Sequence, residues 1–91
     1  MIAKRVIYEG RVQGVGFRYT CKDLARGFDV TGSVRNLPDG TVELLACGES
    51  GEVEEFLREI AEESPVAHHI RSIHIEEVPG FHGTGFQILR C

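Results

Sequence analysis

The chain is short of positive charge: 10 Lys and Arg stand against 14 Asp and Glu, a formal net charge of −4. Binding along a phosphate backbone draws on a broad excess of Lys and Arg, so nucleic acid is disfavoured as the main ligand, whereas a small anion held in one local pocket is compatible with the balance. No apolar run approaches the roughly 18 residues of a membrane span, and no basic-then-apolar leader follows Met1, so membrane insertion and secretion have no support. The 3 cysteines, Cys21, Cys47 and Cys91, are odd in number and form no CxxC pair. They are expected as reduced cytoplasmic thiols rather than a disulfide framework. Repeats, linkers and low-complexity tracts are also lacking. With 91 residues, the chain suits one modest core, expected as a single domain over 1–91.

What is present is a regular alternation of strand and helix signals. Ile2 to Glu9 is apolar and β-favouring. Phe17, Cys21, Leu24, Ala25 and Phe28 then recur at helical spacing, with Gly27 placed to help end the helix. Val30 to Leu37 reads as a second strand, Pro38-Asp39-Gly40 as a turn, and Thr41 to Cys47 as a third strand with Val42, Leu44 and Ala46 on one face. A second helix opens after Gly48, with Ser50 as its expected N-cap and an apolar stripe of Val53, Phe56, Leu57, Ile60 and Ala61. Its glutamates form a solvated face, and Pro65 lies beyond its end. His69 to Val78 and Phe86 to Leu89 are the remaining strands. The order predicts an α+β, ferredoxin-like βαββαβ sandwich with an additional C-terminal strand, both helices on one face of a mainly antiparallel sheet. A right-handed crossover makes the first two strands parallel, with the third between them. Asn36 then ends its strand at the sheet edge where the loop after the first strand also emerges.

That loop, Gly10 to Arg18, holds the chemistry. A strand, a glycine-rich loop and a helix start with Arg18 in its first turn bring free N–H groups, the helix dipole and a guanidinium to one small volume, which suits a phosphate or another oxyanion. Gly-Lys-Ser/Thr is lacking, so this is not a Walker loop, and Tyr19 stands where a dinucleotide fingerprint needs its third glycine. No cysteine opens the loop as a phosphatase nucleophile would, since Cys21 follows the arginine.

The run Gly10-x-Val12-Gln13-Gly14-Val15-Gly16-Phe17-Arg18 resembles the signature of the acylphosphatase family without a departure. The family's second signature is matched by Gly32-Ser33-Val34-Arg35-Asn36-Leu37-Pro38-Asp39-Gly40, and the resemblance extends to Gly85-Phe86-Gln87-Ile88. Ser33 departs from the aromatic residue usual there. The resemblance implies hydrolysis of the carboxyl-phosphate bond of small acyl phosphates to a carboxylate and inorganic phosphate. It implies that Arg18 and the N–H groups of Gly14, Val15, Gly16, Phe17 and Arg18 bind phosphate, that Arg18 and Asn36 are the catalytic pair, and that Asn36 positions the attacking water. No metal or cofactor is implied. The expected partners are the acyl phosphate and phosphate alone, with no nucleic acid or membrane, for a cytoplasmic monomer.

Residue chemistry agrees with these roles. Arg18 stays protonated and can neutralise phosphoryl oxygens without acting as a base, and Asn36 can accept from water and donate to phosphate at once. His68, His69, His74 and His82 lack the spacing and companion ligands of a metal site and are expected as ordinary surface residues. Arg11 and Arg35 could add potential at the pocket mouth or simply face solvent. Tyr19 could line the pocket or pack at the helix start, and packing is the favoured expectation, while Asp39 and Gly40 are expected to serve the turn. Two competing readings stand beside the main one. The first is a role tied to carbamoyl phosphate, since the motifs also resemble the N-terminal domain of hydrogenase-maturation carbamoyltransferases, which heads a much longer chain with zinc motifs. The second is a non-catalytic anion-binding module, which would have no need of Asn36.

Overall fold

A computed structural model describes residues 1–80 and 83–90. The alternation in the sequence becomes β1 (Ile2–Gly10), α1 (Phe17–Ala25), β2 (Val30–Asn36), β3 (Val42–Gly48), α2 (Ser50–Glu62), β4 (Ile70–Glu77) and β5 (Phe86–Ile88), with a 3₁₀ turn at Ala67–His69. The sheet order is β4-β1-β3-β2-β5. β3 runs antiparallel to both β1 and β2, which makes those two parallel, and β5 adds to the free side of β2 in parallel. This is the expected ferredoxin-like fold.

Period-two alternation sends Val6 and Tyr8 of β1, Val34 of β2, and Val42, Leu44 and Ala46 of β3 to one face, where all are buried. The stripes of α1 (Phe17, Cys21, Ala25) and α2 (Val53, Phe56, Leu57, Ile60) cover that face and complete one core. Phe56 is the keystone of the far end, its ring 5.7 Å from Phe28 and 5.5 Å edge-on to Phe86. Phe28 reaches it from outside the helix. α1 closes at Ala25 with tightened bonds from Gly27 N–H to Leu24 O (3.0 Å) and from Phe28 N–H to Ala25 O (3.1 Å), so Phe28 leaves the helical stripe but not the core. Gly27 ends the helix without a left-handed backbone.

Two local expectations are corrected. Glu49, in extended conformation, is the N-cap of α2, and Ser50 is its first helical residue; neither side chain caps the helix. His69 belongs with His68 to the 3₁₀ turn, so β4 begins one residue later than expected, at Ile70, and the two imidazole centroids lie 4.0 Å apart. His82 and Cys91 lie outside the described residues, while Cys21 and Cys47 are free and buried.

On the opposite sheet face a carboxylate is almost fully buried. Glu43 accepts from Arg5 Nε at 2.7 Å and from Arg35 Nε at 2.8 Å, its cross-strand register partner on β2, while Arg5 Nη1 also reaches Glu76 at 3.1 Å. Burial pushes the Glu43 carboxyl up, but the hydrogen bonds from Arg5 and Arg35 outweigh it and hold the carboxyl below its ordinary value. A depressed folded-state value adds stability that is present above the unfolded carboxylate range and is lost as pH falls through the folded value. Glu43→Gln should therefore unfold at lower urea near pH 7, by about 1–2 kcal/mol, below the usual cost of breaking a buried pair because both guanidiniums reach water. The gap from wild type should narrow as pH drops below about 4.5, the region where unfolded glutamate protonates. A gap constant with pH would contradict the ion triad.

Candidate active site

The loop begins where β1 loses register with β4, between Glu9 and Gly10. Arg11 N–H donates to His69 O at 3.0 Å and Val12 is buried in the core, so the chain is pinned before it turns. Gln13 then makes the decisive contact: its Nε2 donates to both Leu37 O and Thr41 O, each at 2.8 Å. Those carbonyls flank the β2–β3 turn, which is itself held by Leu37 N–H to Thr41 O (2.9 Å) and by Asp39, whose Oδ1 accepts from Thr41 N–H (3.0 Å) and Oγ1 (2.6 Å). The Thr41 hydroxyl and N–H hold the Asp39 carboxyl below its ordinary value. Asp39 thus serves the turn, as expected.

Beyond Gln13 the backbone enters left-handed space twice, at Gly14 (φ 78°) and Gly16 (φ 81°). A Cβ at either position would meet nothing within 4 Å, so glycine is required there by the dihedral and not by crowding. Gly16 is the N-cap of α1, and the first helical bond runs from Thr20 N–H to Gly16 O at 3.0 Å, reinforced by Thr20 Oγ1 at 2.9 Å. From 14 to 19 no backbone N–H donates to a described residue. A succession of donors without a described partner, around left-handed glycines at a helix start, has the form of an anion-binding concavity.

Asn36 closes β2 opposite Val42, and Val42 lies opposite Tyr8, whose ring sits 4.9 Å from Phe17 at the start of α1. Alternation from the buried Val30 and Val34 places Asn36 on the helix-facing side of the sheet. The loop and the end of β2 therefore share one corner, joined by the Gln13 tether. Among the described residues the Asn36 Oδ1 atom is buried and accepts no hydrogen bond. A buried amide oxygen left unmatched by the protein is rare enough to ask for a functional reason.

Arg18, on the first turn of α1, lines an open cavity of about 560 Å³ with Tyr19, Lys22, Gln87, Ile88 and Arg90. Tyr19 is 69% exposed and forms a wall of this cavity, which corrects the expectation that it packs at the helix start. Arg35 lies in the Glu43 ion triad on the other sheet face and adds nothing to the pocket mouth; Arg11 is exposed at the head of the loop. Sequence reasoning left out Lys22, Gln87 and Arg90. Lys22 follows Arg18 by one helical turn and could have been found by that spacing. Gln87 and Arg90 required the parallel pairing of β5 with β2, which no local pattern announces. Cys21 is on the buried side of α1, where burial pushes its thiol up to about 12, so it forms no thiolate near neutral pH. No group of three or more His, Cys, Asp or Glu is arranged to hold a metal among the described residues.

This geometry can be set against known proteins. The acylphosphatase family model matches residues 4–88. The chain belongs to the acylphosphatase family. It is 49% identical over 76 residues to an acylphosphatase of Methanospirillum hungatei, covering 81% of this chain and 84% of that one. It is 43% identical over 86 residues to an acylphosphatase of Treponema denticola, covering 94% and 90%. The crystal structure of acylphosphatase from Bacillus subtilis superposes with a TM-score of 0.87 at 36% identity, covering 98% of this chain and 99% of that one. Family and fold together make the protein an enzyme for acyl phosphate hydrolysis. No helix among the described residues is long and apolar enough to cross a membrane.

The tether makes a first test of the site as a unit. In Gln13→Ala each carbonyl keeps one partner, Leu37 O from Gly40 N–H and Thr41 O from Leu37 N–H. The stability loss read by urea unfolding should therefore be modest, about 1–2 kcal/mol for two neutral hydrogen bonds. Hydrolysis of benzoyl phosphate should fall further, by at least about ten-fold in kcat/KM, because the loop and Asn36 would no longer be held in one register. Wild-type turnover in this variant would show that the tether does not organise the site.

Proposed function

We propose that Gly14, Val15, Gly16, Phe17 and Arg18 hold the phosphoryl group of a small acyl phosphate while Asn36 positions the water that attacks it. The observation that carries this reading is the buried Asn36 Oδ1 without a protein donor, on the sheet corner to which Gln13 fastens a loop of unpaired N–H groups. An amide oxygen in that setting accepts one proton of a water, and the amide nitrogen can donate to a phosphoryl oxygen. Neither Asn36 nor Arg18 takes a proton at neutral pH, so positioning and charge stabilisation carry the rate. Water attacks phosphorus, the bond from phosphorus to the carboxyl oxygen breaks, and the acyl group departs as a carboxylate that needs little acid assistance. The proton released by the water passes to an oxygen of the phosphoryl group itself, and inorganic phosphate leaves.

A planar guanidinium with two parallel donors suits the equatorial oxygens of the transferring group better than a point ammonium. Arg18→Ala should lose phosphate affinity and turnover together, and Arg18→Lys should still lose about 100-fold in kcat/KM on benzoyl phosphate. Near-normal activity of the lysine variant would count against fork-like binding. Asn36→Ala should lose about 10²–10³-fold in kcat, the usual effect of removing one well-placed polar group, while competitive inhibition by phosphate changes by less than about three-fold. An Asn36→Ala enzyme hydrolysing benzoyl phosphate at the wild-type rate would sink the water-positioning role. The same reading takes the chain as one domain acting as a cytoplasmic monomer without metal, nucleic acid or membrane. The acidic charge balance supports the part of this reading that leaves out nucleic acid, and the 3 cysteines without a CxxC pair support the part that takes a reducing compartment.

A further inference from the structure

The cavity beside Arg18 is more cationic than phosphate binding requires. The chain carries a net charge of −4, yet three of the six described residues lining this cavity, Arg18, Lys22 and Arg90, are cations, and no carboxylate of a described residue lines it. None of the three forms an ion pair with a described residue, whereas Lys4, Arg5, Arg26, Arg35 and Arg58 each do. Arg18 and Lys22 stand at i and i+4 on α1, where like charges disfavour the helix. The charge is drawn from two elements. β5 is parallel to β2, and Leu89 N–H continues the pairing to Val34 O at 2.9 Å, so the chain runs on toward the end of β2 that carries Asn36 and delivers Arg90 to the cavity.

If Arg18 serves the phosphoryl group, as proposed above, Lys22 and Arg90 remain for the other end of the substrate. The cavity, about 560 Å³ in volume, adjoins the proposed phosphoryl seat through Arg18 and has room for an acyl group of several carbons. Its walls are mixed: the Tyr19 ring and Ile88 suit the carbon skeleton, and the Gln87 amide suits a polar substituent. An uncharged acyl group would offer neither remaining cation a charge of opposite sign. We propose that this cavity is an acyl-group subsite in which Lys22 and Arg90 select acyl phosphates whose acyl portion carries a second anionic group. Lys22 and Arg90 are specificity determinants in this scheme and take no part in the bond-breaking step. The inference rests on the proposed phosphate-binding role of Arg18, and its test separates the two.

Two inert analogues isolate the second charge: benzoylphosphonate and 4-carboxybenzoylphosphonate, which differ by one carboxylate on the same ring. Their dissociation constants are measured by calorimetry on the full chain at low salt. Wild type should bind the carboxylated compound about ten-fold more tightly, and the preference should shrink as salt rises. Lys22→Gln and Arg90→Gln should each cut that ratio by about three-fold, within the range for an exposed charge pair, while Lys22→Arg should keep it. A wild-type ratio at or below one, or a ratio unchanged in both glutamine variants, would overturn the subsite. The Arg18 role is read separately from benzoylphosphonate alone, whose binding should collapse in Arg18→Ala. If that binding survives while the Lys22 and Arg90 ratios change as expected, the phosphate-binding assignment fails and the anionic subsite stands. If neither analogue binds wild type, both are overturned.

Discussion

The site depends on one side-chain amide. Gln13 Nε2 donates its two protons to carbonyls on either side of the β2–β3 turn, and through them joins a loop that follows β1 to the strand end that carries Asn36. Few other residue types could do this. A carboxylate would meet two acceptors with an acceptor, and the shorter asparagine would reach less far. The glycines downstream permit the backbone to expose its N–H groups, but the tether determines what those groups face. In the proposed mechanism positioning therefore comes before chemistry, since neither Arg18 nor Asn36 exchanges protons at neutral pH.

The sheet order is what makes so short a tether sufficient. With β3 between β1 and β2, the two parallel strands end at the same edge, and Asn36, Val42 and Tyr8 lie side by side in register. Phe17 packs on Tyr8 and locks the first turn of α1 above that row. The two faces of the sheet have separate duties. The helix-covered face ends in the candidate site, while the other buries Glu43 between two arginines and keeps the strands in register by charge. Arg35 and Asn36 are sequence neighbours with opposite assignments because alternation along a strand sends them to opposite faces.

Whatever follows from local periodicity was legible in the sequence. Helical stripes, strand alternation and the Pro38-Asp39-Gly40 turn marked both helices and the central strands, and handedness alone was enough to expect β3 between β1 and β2. The loop was legible because its glycines and arginine fall within nine consecutive residues. Less was legible where tertiary pairing decides. Phe28 was assigned to a helical stripe because its spacing fits, but α1 closes early and Phe28 reaches Phe56 from a turn. Tyr19 was expected to pack at the helix start rather than line the pocket, but Phe17 occupies the core position there and Tyr19 is exposed on the cavity wall. Gln13 was visible as part of a motif, but its partners are carbonyls, which carry no sequence identity. Arg90 joins the cavity only because β5 pairs with β2.

The central claim is that the unpaired N–H groups between Gly14 and Tyr19 are the seat of the oxyanion. Titration of the uniformly ¹⁵N-labelled protein with inorganic phosphate, followed by amide ¹H–¹⁵N correlation spectra, tests it most directly. The account predicts saturable shifts that are largest for the backbone amides of residues 14–19, with the amides of α2 and β4 unmoved. Saturable shifts centred elsewhere, with the loop amides silent, would contradict it.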